Sequence, residues 1–138
     1  MNSQPLNILL VEDDEVDVMN VRRAFAKNHI ANPLVVAGDG LEALEALRGG
    51  TLPKSRRIVL LDLNMPRMNG IEFLRELRGD PELAATTVVV LTTSNDERDK
   101  IDAFNLNVAG YLLKPVTFQN FCEVMVALNK YWSLVELP

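Results

Sequence analysis

The sequence predicts an α/β fold: a parallel sheet of five strands with helices on both faces. Short apolar, β-branched runs alternate five times with segments whose apolar residues recur at helical spacing. A chain ordered in this way must pack each crossover helix back onto a parallel sheet. At 138 residues, with 48% hydrophobic and 24% charged residues, it has ordinary globular composition. It is long enough for one core without disulfides or a structural metal. One domain is expected over residues 1–138, with its core at about 7–130 and the last helix extending beyond it.

Taken in order, residues 7–11 (NILLV) form the first strand, which runs into Glu12, Asp13 and Asp14. Asp14 is placed to cap a helix carrying Val16, Val21, Ala24 and Phe25. Residues 34–37 form the second strand, and Leu41, Leu44 and Leu47 mark the helix after it, ended by Gly49 and Gly50. Residues 58–61 read as a third strand buried on both faces, so the carboxylate of Asp62 belongs at its end, where an unpaired charge is tolerable. Asn69 and Gly70 open a helix with Ile71, Phe73, Leu74 and Leu77 on its apolar face, and Asp80-Pro81 follows it. Residues 88–91 are the fourth strand, closed by Thr92, and residues 110–113 the fifth, closed by Lys114 before Pro115.

The last helix, which Thr117 can cap, carries two apolar stripes. Phe118, Phe121, Cys122, Met125 and Trp132 make one; Val124, Leu128, Tyr131 and Val135 make the other, displaced by about a quarter turn. One stripe faces the sheet. The second reads either as an isologous dimer contact or as a helix seated deeper in its own fold.

A net charge of -5 gives no broad attraction to nucleic acid. The one basic cluster, Lys54, Arg56 and Arg57, is too short for a binding motif and reads as a solvated loop. Cys122 is the only cysteine, which excludes an internal disulfide and a cysteine-cluster metal site. The five methionines and Cys122 read as core packing, and His29 suits the C-terminal end of the first helix. The first residues lack a basic region and their apolar run meets three acids, so neither a signal peptide nor a membrane span is expected, and the expected location is cytoplasmic.

If the first and third strands are neighbours, Glu12, Asp13 and Asp62 open onto one crevice, at the strand ends where open α/β sheets keep their ligand sites. Crowded carboxylates repel, and their pKa values rise unless a cation neutralises them. Oxygen-only donors suit Mg²⁺. A parallel sheet brings Thr92 and Lys114 to the same edge. Carboxylate, metal, hydroxyl and ammonium together suit phosphoryl chemistry, with an Asp nucleophile and cations facing the phosphoryl oxygens. Each residue alone has an ordinary explanation; the weight rests on four compatible residues at four strand ends.

Through ILLVEDD (8–14), LLDLNMPRMNG (60–70), VVVLTTS (88–94) and AGYLLKP (109–115), the sequence resembles the receiver domain of two-component response regulators over nearly its whole length. The resemblance implies a doubly wound, flavodoxin-like sheet of order 2-1-3-4-5. It implies that Asp62 accepts a phosphoryl group from the phosphohistidine of a sensor histidine kinase, and that Thr92 and Lys114 contact that group. Mg²⁺, or Mn²⁺ in its place, would be held by Asp13, Asp62, the backbone carbonyl of Asn64 and, through a metal-bound water, Glu12. Thr92 and Tyr111 would form the switch, and Asn64 and Ser94 would tune the phosphate's lifetime; Lys114-Pro115 matches a family position with a cis peptide, whereas sequence alone gives an X-Pro bond only about a 5% chance of being cis. Such a protein is a phosphoacceptor that assists its own phosphorylation and dephosphorylation rather than an enzyme acting on a separate substrate.

NKYWSLVELP, VEDDEVDVMNVRRAF and TSNDERDKIDAFNLNVAGYLLKPVTF further resemble the small regulators paired with cyanobacterial phytochrome kinases. This implies a phytochrome-type kinase partner and a homodimer. With no room after the last helix for an output domain, output is expected through contact with a downstream protein, and the charge and N-terminal pattern above speak against nucleic acid and membrane. Two rivals share parts of the pattern. A haloacid dehalogenase-type phosphatase needs a second Asp where Asn64 stands, and a flavodoxin-like cofactor module needs a phosphate-cradling loop where the acids stand. A phosphorylation-independent scaffold with the same fold would be expected to lack Asp62, Thr92 or Lys114, and all are present.

Overall fold

A computed structural model describes residues 6–31, 33–114, 117–135 and 137. Ten elements alternate along it: β1 (Asn7–Val11), α1 (Glu15–Lys27), β2 (Leu34–Ala37), α2 (Gly40–Arg48), β3 (Arg57–Leu61), α3 (Gly70–Gly79), β4 (Thr87–Thr92), α4 (Glu97–Asn105), β5 (Gly110–Leu113) and α5 (Phe118–Ser133). All strand pairs are parallel, and the order is β2-β1-β3-β4-β5. The doubly wound architecture is therefore as expected. The order reverses between β1 and β3, which opens a crevice at their C-terminal ends. Val11 pairs with Leu61 there, so Glu12 and Asp62 leave the sheet side by side.

β3 and β4 are longer than the apolar runs that announce them. Arg57 pairs with Asn7, and Thr87 with Ile58, because a neighbouring strand extends the ladder into positions that are polar in sequence. The helix starts follow local chemistry. Asp14 Oδ1 accepts from Val16 N at 2.8 Å, Asn69 and Glu72 form a reciprocal capping box, and Thr117 Oγ1 accepts from Asn120 N at 3.2 Å. Gly70 is required by close approach: a Cβ there would lie 2.7 Å from Leu63 Cα and 2.8 Å from the Asp62 carbonyl oxygen.

Strand residues alternate between two cores. Leu9, Val11, Val59, Leu61, Val88 and Val90 pack with α2 and α3, whereas Ile8, Leu10, Ile58, Leu60, Val89 and Leu91 pack with α1 and α5. Phe121, Cys122 and Met125 are buried in the second core, with Trp132 half-buried against it. Val124 and Leu128 from the other stripe also pack there, while Tyr131 remains 59% exposed. Part of that stripe thus belongs to a helix seated deeper in its own fold. The side chain of Phe118 and the Lys114-Pro115 bond lie outside the described residues.

Three expectations are corrected. Val16 and Leu41 are exposed, because each lies around its helix from the face that is buried, which Val21, Ala24 and Phe25 form in α1 and Ala43, Leu44 and Leu47 in α2. Met19 is exposed as well, three residues after Val16 on the same outward face. Arg56 and Arg57 do not belong to a solvated loop. Arg56 donates to the Trp132 and Val135 carbonyls at 3.0 Å each, and Arg57 to those of Pro53, Leu47 and Leu52. These carbonyls lie at the ends of α2 and α5 and in the loops that follow, where backbone donors are scarce, and a guanidinium fork supplies several at once.

Candidate functional site

Glu12 and Asp62, the residues that follow β1 and β3, are buried although charged types rarely are. Each is held by backbone as it leaves its strand: Glu12 N donates to Ala37 O at 2.9 Å and Asp62 N to Val11 O at 3.0 Å. Asp13 projects outward and is exposed. One carboxylate oxygen from each of Glu12, Asp13 and Asp62 can be chosen so that all lie within 4.8 Å of one another. An all-oxygen set of this size fits a hard divalent cation such as Mg²⁺.

The other two strand ends close around Asp62. Thr92, fully buried, donates its hydroxyl to Asp62 Oδ1 at 2.6 Å, and Asn64 N donates to the same oxygen at 3.2 Å. Lys114 Nζ lies 3.4 Å from Asp62 Oδ2, 2.7 Å from Glu12 Oε1 and 2.6 Å from Asp17 Oδ2. Burial alone would lower this ammonium; its bonds to Asp17 and Glu12 and the charge of Asp62 overcome that and hold it above the usual lysine range. Burial pushes the Glu12 carboxyl up from 4.5 to about 7, with the charge of Asp62 adding to the rise and the Lys114 bond opposing it. Crowding was the expected cause of such a rise; here loss of water is the larger one.

On the far side of Thr92, Ser94 N approaches its hydroxyl at 3.2 Å, Ser94 Oγ donates to Asp99 Oδ2 at 2.7 Å, and Tyr111 OH donates to the Ser94 carbonyl at 2.7 Å. The ring of Tyr111 stacks on Phe104 with centroids 6.4 Å apart. A chain of contacts thus runs from Asp62 through Thr92 and Ser94 to β5 and α4.

The sequence reading did not identify two groups near the site. Asp17 is one; its position in the first turn of α1 was the available signal. The other is Asp39, the buried cap of α2, whose Oδ2 accepts from Arg67 Nε at 2.6 Å and also from the second guanidinium nitrogen. Burial would raise that carboxyl, but the Glu42 backbone bond and Arg67 hold it below its usual value. Met68 O accepts from Gly40 N at 3.1 Å, so the loop after Asp62, which carries Asn64, is tied to α2 at two points. Among the described residues, no helix is long and apolar enough to cross a membrane.

A doubly wound 2-1-3-4-5 sheet with an acid pair, a hydroxyl and an ammonium at its switch point defines a class, and the sequence matches it: residues 8–126 fit the response regulator receiver domain, and the chain belongs to that family. It is 37% identical over 93% of its length to the probable methanogenesis regulatory protein FilR2 of Methanothrix harundinacea, covering 84% of that protein. It is 36% identical to the response regulator Rcp1 of Synechocystis, covering 99% of this chain and 96% of that one. The crystal structure of phosphorylated RcpA, a cyanobacterial phytochrome response regulator, superposes with a TM-score of 0.87 at 33% identity, covering 98% of this chain and 99% of that one. The Mn²⁺-bound form of Rcp1 superposes with a TM-score of 0.81 at 36% identity, over 95% and 97% of the two chains.

Proposed function

We propose that this response regulator accepts a phosphoryl group on Asp62 from a sensor histidine kinase of the phytochrome type. The supporting observation is one buried carboxylate that meets a donated hydroxyl at 2.6 Å, an ammonium at 3.4 Å and two further carboxylates spaced for a divalent cation. An Asp62 carboxylate oxygen attacks phosphorus, and the P–O bond forms as the P–N bond to the kinase histidine breaks; that histidine carries a proton on its other ring nitrogen, so the electron pair of the broken bond leaves on a neutral imidazole. Lys114 and the Thr92 hydroxyl face the charge that develops on the phosphoryl oxygens. Glu12, Asp13, Asp62 and the Asn64 carbonyl would hold Mg²⁺, which when bound supplies further positive charge opposite those oxygens.

Phosphorylation adds negative charge and three acceptor oxygens beside Thr92. Drawing the Thr92 hydroxyl to them shifts the contacts through Ser94 to Tyr111 and α4, a local change with a surface readout. A downstream protein reads that surface. The phytochrome assignment is supported by the similarity to RcpA and Rcp1 over nearly the full chain. Self-association is assigned to the outer side of α5, where Tyr131 is 59% and Leu134 82% exposed, with Val124, Leu128 and Val135 as the inner rim. If it is right, Tyr131→Ala halves the sedimentation mass of a dimeric wild type; an unchanged mass refutes it.

The phosphoacceptor reading is tested by incubating the protein with Mg²⁺ and a small-molecule phosphodonor and reading intact mass. One phosphoryl adduct is expected, absent with Asp62→Asn and absent with excess chelator. A folded protein that gains no adduct is instead a scaffold.

A further inference from the structure

Three carboxylates share the ammonium of Lys114, and the nearest is not the one assigned to carry phosphate. Asp17 lies at 2.6 Å, Glu12 at 2.7 Å and Asp62 at 3.4 Å. Asp17 sits in the first turn of α1, with its N–H donating to the cap Asp14 at 3.3 Å, where a helix favours a carboxylate. Its side chain is 34% exposed, against 4% for Glu12 and 6% for Asp62, so it is the partner that water can most readily replace. The lysine backbone is fixed by its N–H bond to Thr92 O at 2.8 Å. Its ammonium can therefore trade partners only by turning along its own side chain.

Building on the phosphoacceptor reading, we propose that Asp17 is a positioning residue that holds Lys114 on the α1 side of the crevice, in competition with a phosphoryl group on Asp62. A phosphoryl group next to Asp62 becomes the stronger partner for the ammonium, and pairing with Asp17 must then be given up. The affinity of the site for a tetrahedral anion is reduced by the fraction of molecules whose lysine is held elsewhere. Asp17 thereby sets how strongly the molecule favours its phosphorylated form.

The test measures the dissociation constant of beryllofluoride, a tetrahedral stand-in for the phosphoryl group, in the presence of Mg²⁺ by fluorine NMR on the full chain. Asp17→Asn is expected to tighten binding about 3- to 10-fold, Asp17→Ser to do the same as a second variant, and Asp17→Glu to stay near the wild-type value. In a Lys114→Ala background, Asp17→Asn is expected to change the constant by less than about twofold, because the effect runs through the ammonium. Unchanged binding in both Asp17→Asn and Asp17→Ser overturns the proposal. So does equal tightening with and without Lys114, which would mean only that a negative charge had been removed. A wild-type protein that binds no beryllofluoride overturns the phosphoacceptor reading itself, a result distinct from either.

Discussion

Glu12 holds a proton when folded at pH values where the unfolded chain has lost it, since its carboxyl is raised from 4.5 to about 7 by burial. The stability linked to that proton is full below the unfolded value and is lost as pH rises through the folded one. In metal-free protein the urea midpoint should therefore fall as pH rises from 4.5 to about 7, and Glu12→Gln should flatten that part of the profile. Thr92 offers a second test. Thr92→Val removes the donor to Asp62 Oδ1 within a buried site and should cost about 1–3 kcal/mol in urea unfolding, while Thr92→Ser should recover most of it. Residues of this kind were readable in advance, because Glu12, Asp62, Thr92 and Lys114 each end an apolar run, and a parallel sheet puts such ends on one edge. Asp17 was not, since its partner Lys114 is 97 residues away and meets it only when α1 and β5 converge. Arg67 and Asp39, 28 residues apart, escaped for the same reason.

Elements differ in how far local sequence determines them. β1, β2 and β5 have the bounds the sequence predicts, whereas β3 and β4 borrow terminal residues from the pairing of their neighbours. Helical periodicity identified Val21, Ala24 and Phe25 in α1 and Leu44 and Leu47 in α2 as buried, but the apolar character of Val16 and Leu41 did not separate them from those faces, and both are exposed. The end of α5 depends on Arg56, a residue from the loop before β3. Arg56→Ala should leave the Trp132 and Val135 carbonyls without these donors and speed amide exchange in the last turn of α5, with little change at its start. At the opposite end of the sheet, Gly70→Ala places a methyl group against the backbone of Asp62 and Leu63. The expected cost is about 1–3 kcal/mol by thermal melting, with slower adduct formation on Asp62 as the strand end is displaced.

At the scale of the molecule, folding brings acids from β1 and β3 together, and the proposed cation should hold them there. Mg²⁺ at about 100 times its dissociation constant should stabilise the chain by about 2.7 kcal/mol, reversed by chelator and weakened in Asp13→Asn, as read from melting curves. The architecture was readable from the alternation of runs, but the placement of each apolar residue in one of the two cores follows from strand pairing. Those cores lie on opposite faces of one sheet, and strand residues serve them in turn. Substitutions confined to one core should couple to each other, while pairs drawn from opposite cores and far apart should add. Such a layout gives heredity two separate ledgers. On the proposed reading of α4 as the surface a partner meets, that face can be rewritten to suit a new listener while the α1 and α5 face keeps its own history, and a lineage of these regulators would change its audience without relearning how to fold.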